Sequence, residues 1–122
     1  PQGGADAPEE DAMSHFMLRW QFKDATAKAL VETPQDRTGP AKALIEAFGG
    51  RMHAYYFALG ECDGIAICEF PDNGAALACS MRAASTGAFA RFETTPLLTA
   101  QEAEAAMQRA KTTTVAYRAP NA

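Results

Sequence analysis

The stretch Ser14–Phe22, SHFMLRWQF, alternates large apolar residues with mostly polar ones at a period of two. The apolar set is Phe16, Leu18, Trp20 and Phe22, and the alternate set is His15, Met17, Arg19 and Gln21. This period, together with the aromatic enrichment, predicts a β-strand with one face in a core. Such a strand belongs to a sheet with one face packed on a core.

The rest of the chain supplies helix and strand patterns in an order that defines the fold. We predict strands over residues 51–59, 64–70 and 89–95, and helices over residues 41–48, 74–84 and 99–111. Gly49-Gly50 ends the first helix, Asp72 or Asn73 caps the second, and Thr99 with Glu102 forms a capping box for the third. We also expect a short helical turn over residues 25–31 and a short edge strand over residues 112–117.

The resulting order β-α-β-β-α-β with a C-terminal helix predicts an α+β, ferredoxin-like fold. Helices would cover one face of an antiparallel sheet and leave the other face bare. A second copy of the chain would cover that bare face, so we expect a homodimer that forms an α/β barrel. We assign residues 1–12 to a flexible tail, with a natural start at Met13, residues 13–118 to the domain and residues 119–122 to a tail.

Composition excludes several classes of protein. The net charge is −4, and Lys and Arg do not cluster, which argues against nucleic-acid and anionic-membrane partners. No apolar run reaches the length of a membrane-spanning helix, and no signal peptide is evident. The three cysteines form no CxxC pair, and they combine with the two histidines in no metal-binding spacing. We therefore predict a cytoplasmic protein without metal ligands, and the residues identify no cofactor.

The segment 49–72 carries a family resemblance. Gly49-Gly50, Tyr55-Tyr56, Gly60, Asp63 and Glu69-x-Pro71-Asp72 resemble the GYD family of small bacterial proteins, and the order of elements over residues 14–99 is also similar. Cys62 departs from the family pattern, which has Tyr there. The resemblance implies a ferredoxin-like fold that pairs as a dimeric α/β barrel. Relatives of that barrel include cofactor-free monooxygenases, isomerases, haem-degrading enzymes and stress-response proteins, so the resemblance assigns no activity.

Strand parity directs a set of chemically capable side chains toward the barrel interior: His15, Arg19, Tyr56, Glu69 and Arg91. We predict His15 and Glu69 as catalytic proton-transfer groups, with Glu69 near Tyr56. Arg19, Tyr56 and Arg91 would bind an anionic substrate. The alternative is that these residues form ion pairs, Arg91 with Glu93 and Glu69 with Arg19, and carry no chemistry.

Other reactive residues have simpler interpretations. Gly60 and Asp63 are expected to shape the hairpin turn, with Asp63 capping free N–H groups of that turn. Cys62 would be exposed at the hairpin tip. Cys68 and Cys79 would be core residues. His53 is more typical of a surface or interface residue than of a haem ligand.

Two hypotheses for function remain open from the sequence. In one, the chain binds a small molecule and could be an oxygenase- or isomerase-like enzyme that needs no cofactor. In the other, it is a non-catalytic stress-response or interaction module whose bare sheet face serves dimerisation. The first predicts a cavity lined by Tyr56 and Glu69. The second predicts that His15, Arg19, Glu69 and Arg91 are all paired.

Overall fold

The computed structural model describes residues 12–121 and contains four strands and four helices in one chain. The strands are β1 (Ser14–Phe22), β2 (Arg51–Phe57), β3 (Gly64–Phe70) and β4 (Phe89–Leu97). The helices are α1 (Asp24–Glu32), α2 (Thr38–Ala47), α3 (Asn73–Ala84) and α4 (Ala100–Thr112). The tail predicted over residues 1–12 lies, except for Ala12, outside the described residues. No helix within residues 12–121 combines the length and hydrophobicity needed to cross a bilayer.

The strands form one antiparallel sheet in the order β2-β3-β1-β4. Together with the helices, this order confirms the α+β, ferredoxin-like prediction. The edge strands are β2 and β4, and the central pair is β3 and β1.

The core lies between the sheet and the helices, on the face that the sequence predicted. Phe16, Leu18 and Trp20 of β1 are 1%, 3% and 6% exposed, because their side chains project toward the helices. The core cluster is completed by Ile45, Ala66, Cys68, Phe70, Ala76 and Cys79. We call the opposite side of the sheet the open face; it carries His15, Met17, Arg19, Ile65, Ile67 and Glu69, all half-buried.

Two segments differ from the sequence prediction. The connection after β1 holds a full helix, α1, rather than a short turn, although none of its residues is buried. The edge strand expected over residues 112–117 is wrong: α4 extends to Thr112, and the residues that follow form no strand. Val115 and Tyr117 are 72% and 75% exposed, and the segment pairs with neither edge of the sheet.

Glycine permits two close approaches that hold the sheet to its core. A Cβ at Gly64 would lie 2.3–2.4 Å from atoms of the Trp20 indole, and Gly64 pairs with Trp20 across β1 and β3. A Cβ at Gly50 would lie 2.7 Å from the Glu69 carbonyl oxygen. Larger side chains at these positions would displace their neighbours, because carbon atoms in contact prefer separations of about 3.5–4.0 Å.

Candidate functional site

Two histidines and a carboxylate meet on the open face of the sheet. His15 of β1 is the direct cross-strand partner of Glu69 in β3, and the His15 Nε2 lies 4.0 Å from the Glu69 Oε2. His53 of β2 contacts the same carboxylate oxygen through its Nε2. The two imidazole rings stack at a centroid distance of 6.2 Å. The predicted pair His15 and Glu69 is therefore adjacent in space, and the sequence missed His53 as its third member.

A β-bulge explains why His53 reaches this cluster. Met52 pairs with Cys68, whereas Ala54 pairs with Ile67, so the register shifts at His53. The extra residue of a bulge is re-aimed relative to regular alternation. In this case the His53 side chain reaches Glu69 on the open face. A strict period of two does not reveal such a shift.

The predicted substrate-binding arginines are paired with a carboxylate. The Arg19 Nη2 lies 2.7 Å from Glu93 Oε1, and the Arg91 Nη2 lies 2.9 Å from Glu93 Oε2. The pairing of Arg91 with Glu93 was the alternative that the sequence left open. The other pair of that alternative, Glu69 with Arg19, is wrong, because Glu69 contacts the two histidines and Arg19 contacts Glu93.

Tyr56 lies on the predicted face of the sheet but not beside Glu69. It shares the open face but pairs with Ile65, four residues along β3 from Glu69. Four residues of strand span about 13 Å, so Tyr56 and Glu69 line different parts of the sheet. Tyr56 is 64% exposed. The expected grouping of Tyr56 with Glu69 is therefore wrong, and its cause is the register of β2 against β3.

The hairpin between β2 and β3 is fixed by Asp63 in an unexpected way. The Asp63 carboxylate accepts a hydrogen bond of 2.8 Å from the backbone N–H of Phe22, and the Asp63 N–H donates to the Trp20 carbonyl at 2.8 Å. Asp63 thus fastens the hairpin to the end of β1, whereas we expected it to cap its own turn. Gly60 has a φ of 122°, which only glycine adopts readily. Cys62 is half-buried rather than exposed.

The larger cavity lies on the helix side of the sheet. Its volume is about 340 Å³, within the range of small-molecule sites. Its walls come from all four strands and from α1, α2 and α3, and they include Trp20, Phe22, Leu30, Leu44, Tyr55, Ala83, Phe89 and Phe92. Because no residue of α1 is buried, that helix covers the core loosely and leaves space beneath it. Neither Tyr56 nor Glu69 lines this cavity, so it differs from the cavity that was predicted near the dimer axis.

A smaller cavity of about 110 Å³ lies at the other side of the sheet beside Arg19, Cys62, Arg91 and Glu93. Its polar groups are the ion pairs already described. The larger cavity is therefore lined mainly by apolar side chains, whereas the smaller one is lined mainly by charged side chains, most of which pair with one another.

Aromatic rings form one wall of the larger cavity. The Trp20 ring stacks on Tyr55 at a centroid distance of 5.5 Å and on Phe92 at 6.0 Å. Phe89 meets Trp20 and Phe92 edge-on, at centroid distances of 6.4 and 5.2 Å. Trp20 Nε1 is buried and has no hydrogen-bond partner within residues 12–121. A wall of this kind favours contact with a flat apolar molecule.

Polar groups line the same cavity where it meets solvent. Arg37 and Gln35 are both exposed, and the Arg37 Nη1 donates to the Gln35 Oε1 at 2.8 Å. Within residues 12–121, Arg37 forms no ion pair with a carboxylate. Burial raises the pKa of the Tyr55 phenol above its ordinary value, and the charge of Arg37 opposes that rise. The guanidinium is therefore available to an anionic group bound in the cavity.

The buried cysteines are core residues without evident chemistry. Burial raises the pKa of Cys68 to about 12 and that of Cys79 to about 11, so both thiols stay protonated at neutral pH. A protonated, buried thiol is a poor nucleophile. Cys79 lines the larger cavity as an apolar group.

Comparison with known proteins gives a family and a distant structural likeness. No curated protein shows significant similarity to the chain. A crystal structure of MtbAldR is similar with 14% sequence identity and a TM-score of 0.49; the match covers 70% of this chain and 52%, about half, of that one. The family model for the GYD domain matches residues 16–107, which run from the third residue of β1 through β4 into α4. The chain therefore belongs to the GYD domain family.

Proposed function

We propose that this GYD protein binds a small molecule in the cavity of about 340 Å³ between the sheet and the helices. The observation that carries the proposal is the aromatic wall around Trp20, which faces space that the helices leave unfilled. The ligand class is a compact, flat apolar body with one anionic group. The apolar body would contact Trp20 and Phe92, and the anionic group would pair with Arg37.

A fluorescent probe with these properties tests the proposal directly. The probe 1-anilinonaphthalene-8-sulfonate has an aromatic body and one sulfonate, and Trp20 is the single tryptophan of the chain. We expect saturable binding that quenches Trp20 emission and enhances probe emission. Two substitutions on α2 form a matched pair: Ala41→Leu fills the cavity that Ala41 lines, whereas Ala43→Leu adds the same side chain at an exposed position outside that lining.

The expected result is that Ala41→Leu weakens probe binding at least tenfold and Ala43→Leu leaves it unchanged. The role of Arg37 is tested by Arg37→Gln, which should weaken sulfonate binding up to about fivefold, the value of an exposed ion pair. Binding of the neutral analogue N-phenyl-1-naphthylamine should not change with Arg37→Gln. Equal affinities for the two α2 variants would contradict the proposed site.

We also propose that the chain forms a homodimer through the open face. The open face carries Met17, Ile65 and Ile67, and Tyr56 adds a side chain that is 64% exposed. A second copy would cover this apolar strip. Native mass spectrometry should report a dimer, and Ile67→Lys should convert it to monomer. The control is Leu77→Lys, which makes the same kind of change at an exposed apolar position on α3 and should leave the dimer intact. A monomeric wild-type chain would contradict the barrel.

One observation favours the alternative, a non-catalytic module that uses the open face for assembly. The charged side chains predicted as catalytic or substrate-binding are paired in two groups, Glu69 with the histidines and Glu93 with the arginines. This arrangement resembles an interface network more than a substrate pocket. Under this alternative, the chain would dimerise, and the probe would show no saturable binding. In both cases we propose a cytoplasmic location, supported by three cysteines that are all free.

A further inference from the structure

We propose that His15, His53 and Glu69 form a binding site for a divalent transition-metal ion on the open face of the sheet. The proposal is independent of the cavity on the helix side, because it uses none of the residues that line it. The three side chains come from adjacent strands, and one potential ligand atom of each lies within 4.8 Å of the others.

The spacing of these atoms is close to that of a coordinated cation. Zinc binds histidine nitrogen and carboxylate oxygen at about 2.0–2.2 Å, so neighbouring ligand atoms are about 3–3.5 Å apart. The distance of 4.0 Å between His15 Nε2 and Glu69 Oε2 exceeds this range only slightly. Because the three atoms already lie within 4.8 Å of one another, a single ion would require them to approach by only about 1 Å.

The donor set selects a class of metal. Two imidazoles and one carboxylate suit zinc and other first-row transition metals, whereas calcium and magnesium prefer oxygen ligands throughout. Three protein ligands leave at least one coordination position for water or another molecule. In the single chain the His15 and His53 side chains are 36% and 40% exposed, so solvent reaches the remaining positions there.

The charges around the cluster favour a cation. The Glu69 side chain is 14% exposed and forms no ion pair with lysine or arginine within residues 12–121. Arg51 is the cation nearest in register, since it pairs with Glu69 across β2 and β3, and its side chain is exposed.

The competing interpretation is a hydrogen bond from His53 to Glu69 that holds β2 to β3 without a metal. The two interpretations differ in an experiment on untagged protein treated with a chelator. We would titrate Zn²⁺ by calorimetry and Co²⁺ by visible absorption, and record the ring signals of the two histidines by NMR. We expect one ion per chain and shifts in both histidine rings. Affinity should fall as pH falls, because protons compete for imidazole nitrogen.

Substitutions assign the ligands. Glu69→Gln keeps the shape of the side chain, and His53→Ala removes one imidazole. Each single variant should weaken Zn²⁺ binding about 100-fold or more, since even residues that only hydrogen-bond to a metal ligand contribute about 10–100-fold. Two controls should bind as the wild type does: Glu93→Gln, a carboxylate on the same face, and Cys62→Ser, the half-buried thiol. Circular dichroism of each variant establishes that the fold is retained.

Three outcomes would overturn the proposal. They are the absence of saturable Zn²⁺ binding at neutral pH, affinity that Glu69→Gln leaves unchanged, and loss of binding in Cys62→Ser with retention in Glu69→Gln. The last outcome would place the ion at the hairpin thiol.

Discussion

Replacement of Gly64 by alanine tests whether the contact between the sheet and Trp20 shapes both the core and the cavity. The new Cβ would lie 2.3 Å from Trp20 Cε2 and 2.4 Å from Cζ2 and Nε1. Since non-bonded carbon atoms rest at about 3.5–4.0 Å, the indole must move by about 1 Å or more. The ring cannot move freely, because it stacks on Tyr55 and Phe92.

The magnitude follows from two opposing effects. Overpacking of a core lowers the free energy of unfolding by about 1–3 kcal/mol. Because the new Cβ would lie so close to the indole, we place the cost of this clash at the upper end of that range. Replacing glycine in a strand recovers about 0.5–1 kcal/mol by restricting the unfolded chain. We therefore expect Gly64→Ala to lower the free energy of unfolding by about 2 kcal/mol, equivalent to a decrease of about 8 °C in Tm for a domain of this size.

The assay is urea unfolding followed by Trp20 fluorescence and by circular dichroism, so that local and global changes are separated. The matched control is Gly74→Ala in α3, where the new Cβ would lie 3.4 Å from Asp72 Oδ1, an ordinary contact. We expect that control to be neutral or to stabilise by up to about 1 kcal/mol. An unchanged midpoint and an unchanged emission spectrum for Gly64→Ala would refute the reasoning.

Three further predictions concern the hairpin, the last helix and the thiols. Asp63→Ala removes the acceptor of a β1 backbone N–H and should cost about 1–3 kcal/mol in urea unfolding, with partial recovery in Asp63→Asn. Thr99→Ala removes the capping-box hydroxyl and should increase amide hydrogen exchange in the first turn of α4, at a cost of about 1 kcal/mol; unchanged exchange would contradict the cap. With a thiol reagent at pH 8, Cys62 should react quickly, and Cys68 and Cys79 only on unfolding, because burial keeps both protonated. Since those two thiols ionise near 9 when unfolded and at about 12 and 11 when folded, stability should fall as pH rises above 9, by up to about 1.4 kcal/mol per pH unit for each thiol. Equal stability at pH 8 and pH 10.5 would contradict that sign.

The sequence predicted the features of the fold that local patterns control. The alternation in β1 identified its buried face, because side chains on a strand point to opposite sides in turn. The capping box of Thr99 and Glu102 was identified from its spacing alone and is present. The predicted edge strand failed because strand formation requires a partner, which local propensity does not supply.

The candidate sites depend on long-range features that the sequence pattern does not contain. The bulge at His53 is visible only in the pairing of β2 with β3, and strict alternation counted back from Tyr56 would place His53 on the helix side of the sheet. The bond from Phe22 to Asp63 joins residues 41 positions apart. The cavity exists because α1 covers the sheet loosely, which is a property of helix packing rather than of periodicity.

The central claim is that a small organic ligand binds between the sheet and the helices, and not on the open face where the metal-ion site is proposed. Methyl-labelled protein with bound 1-anilinonaphthalene-8-sulfonate separates these two locations by intermolecular NOEs. The account predicts NOEs from the probe to the methyl groups of Leu30, Leu44 and Ala83, which line the cavity. NOEs confined to Ile65 and Ile67 on the open face would contradict it.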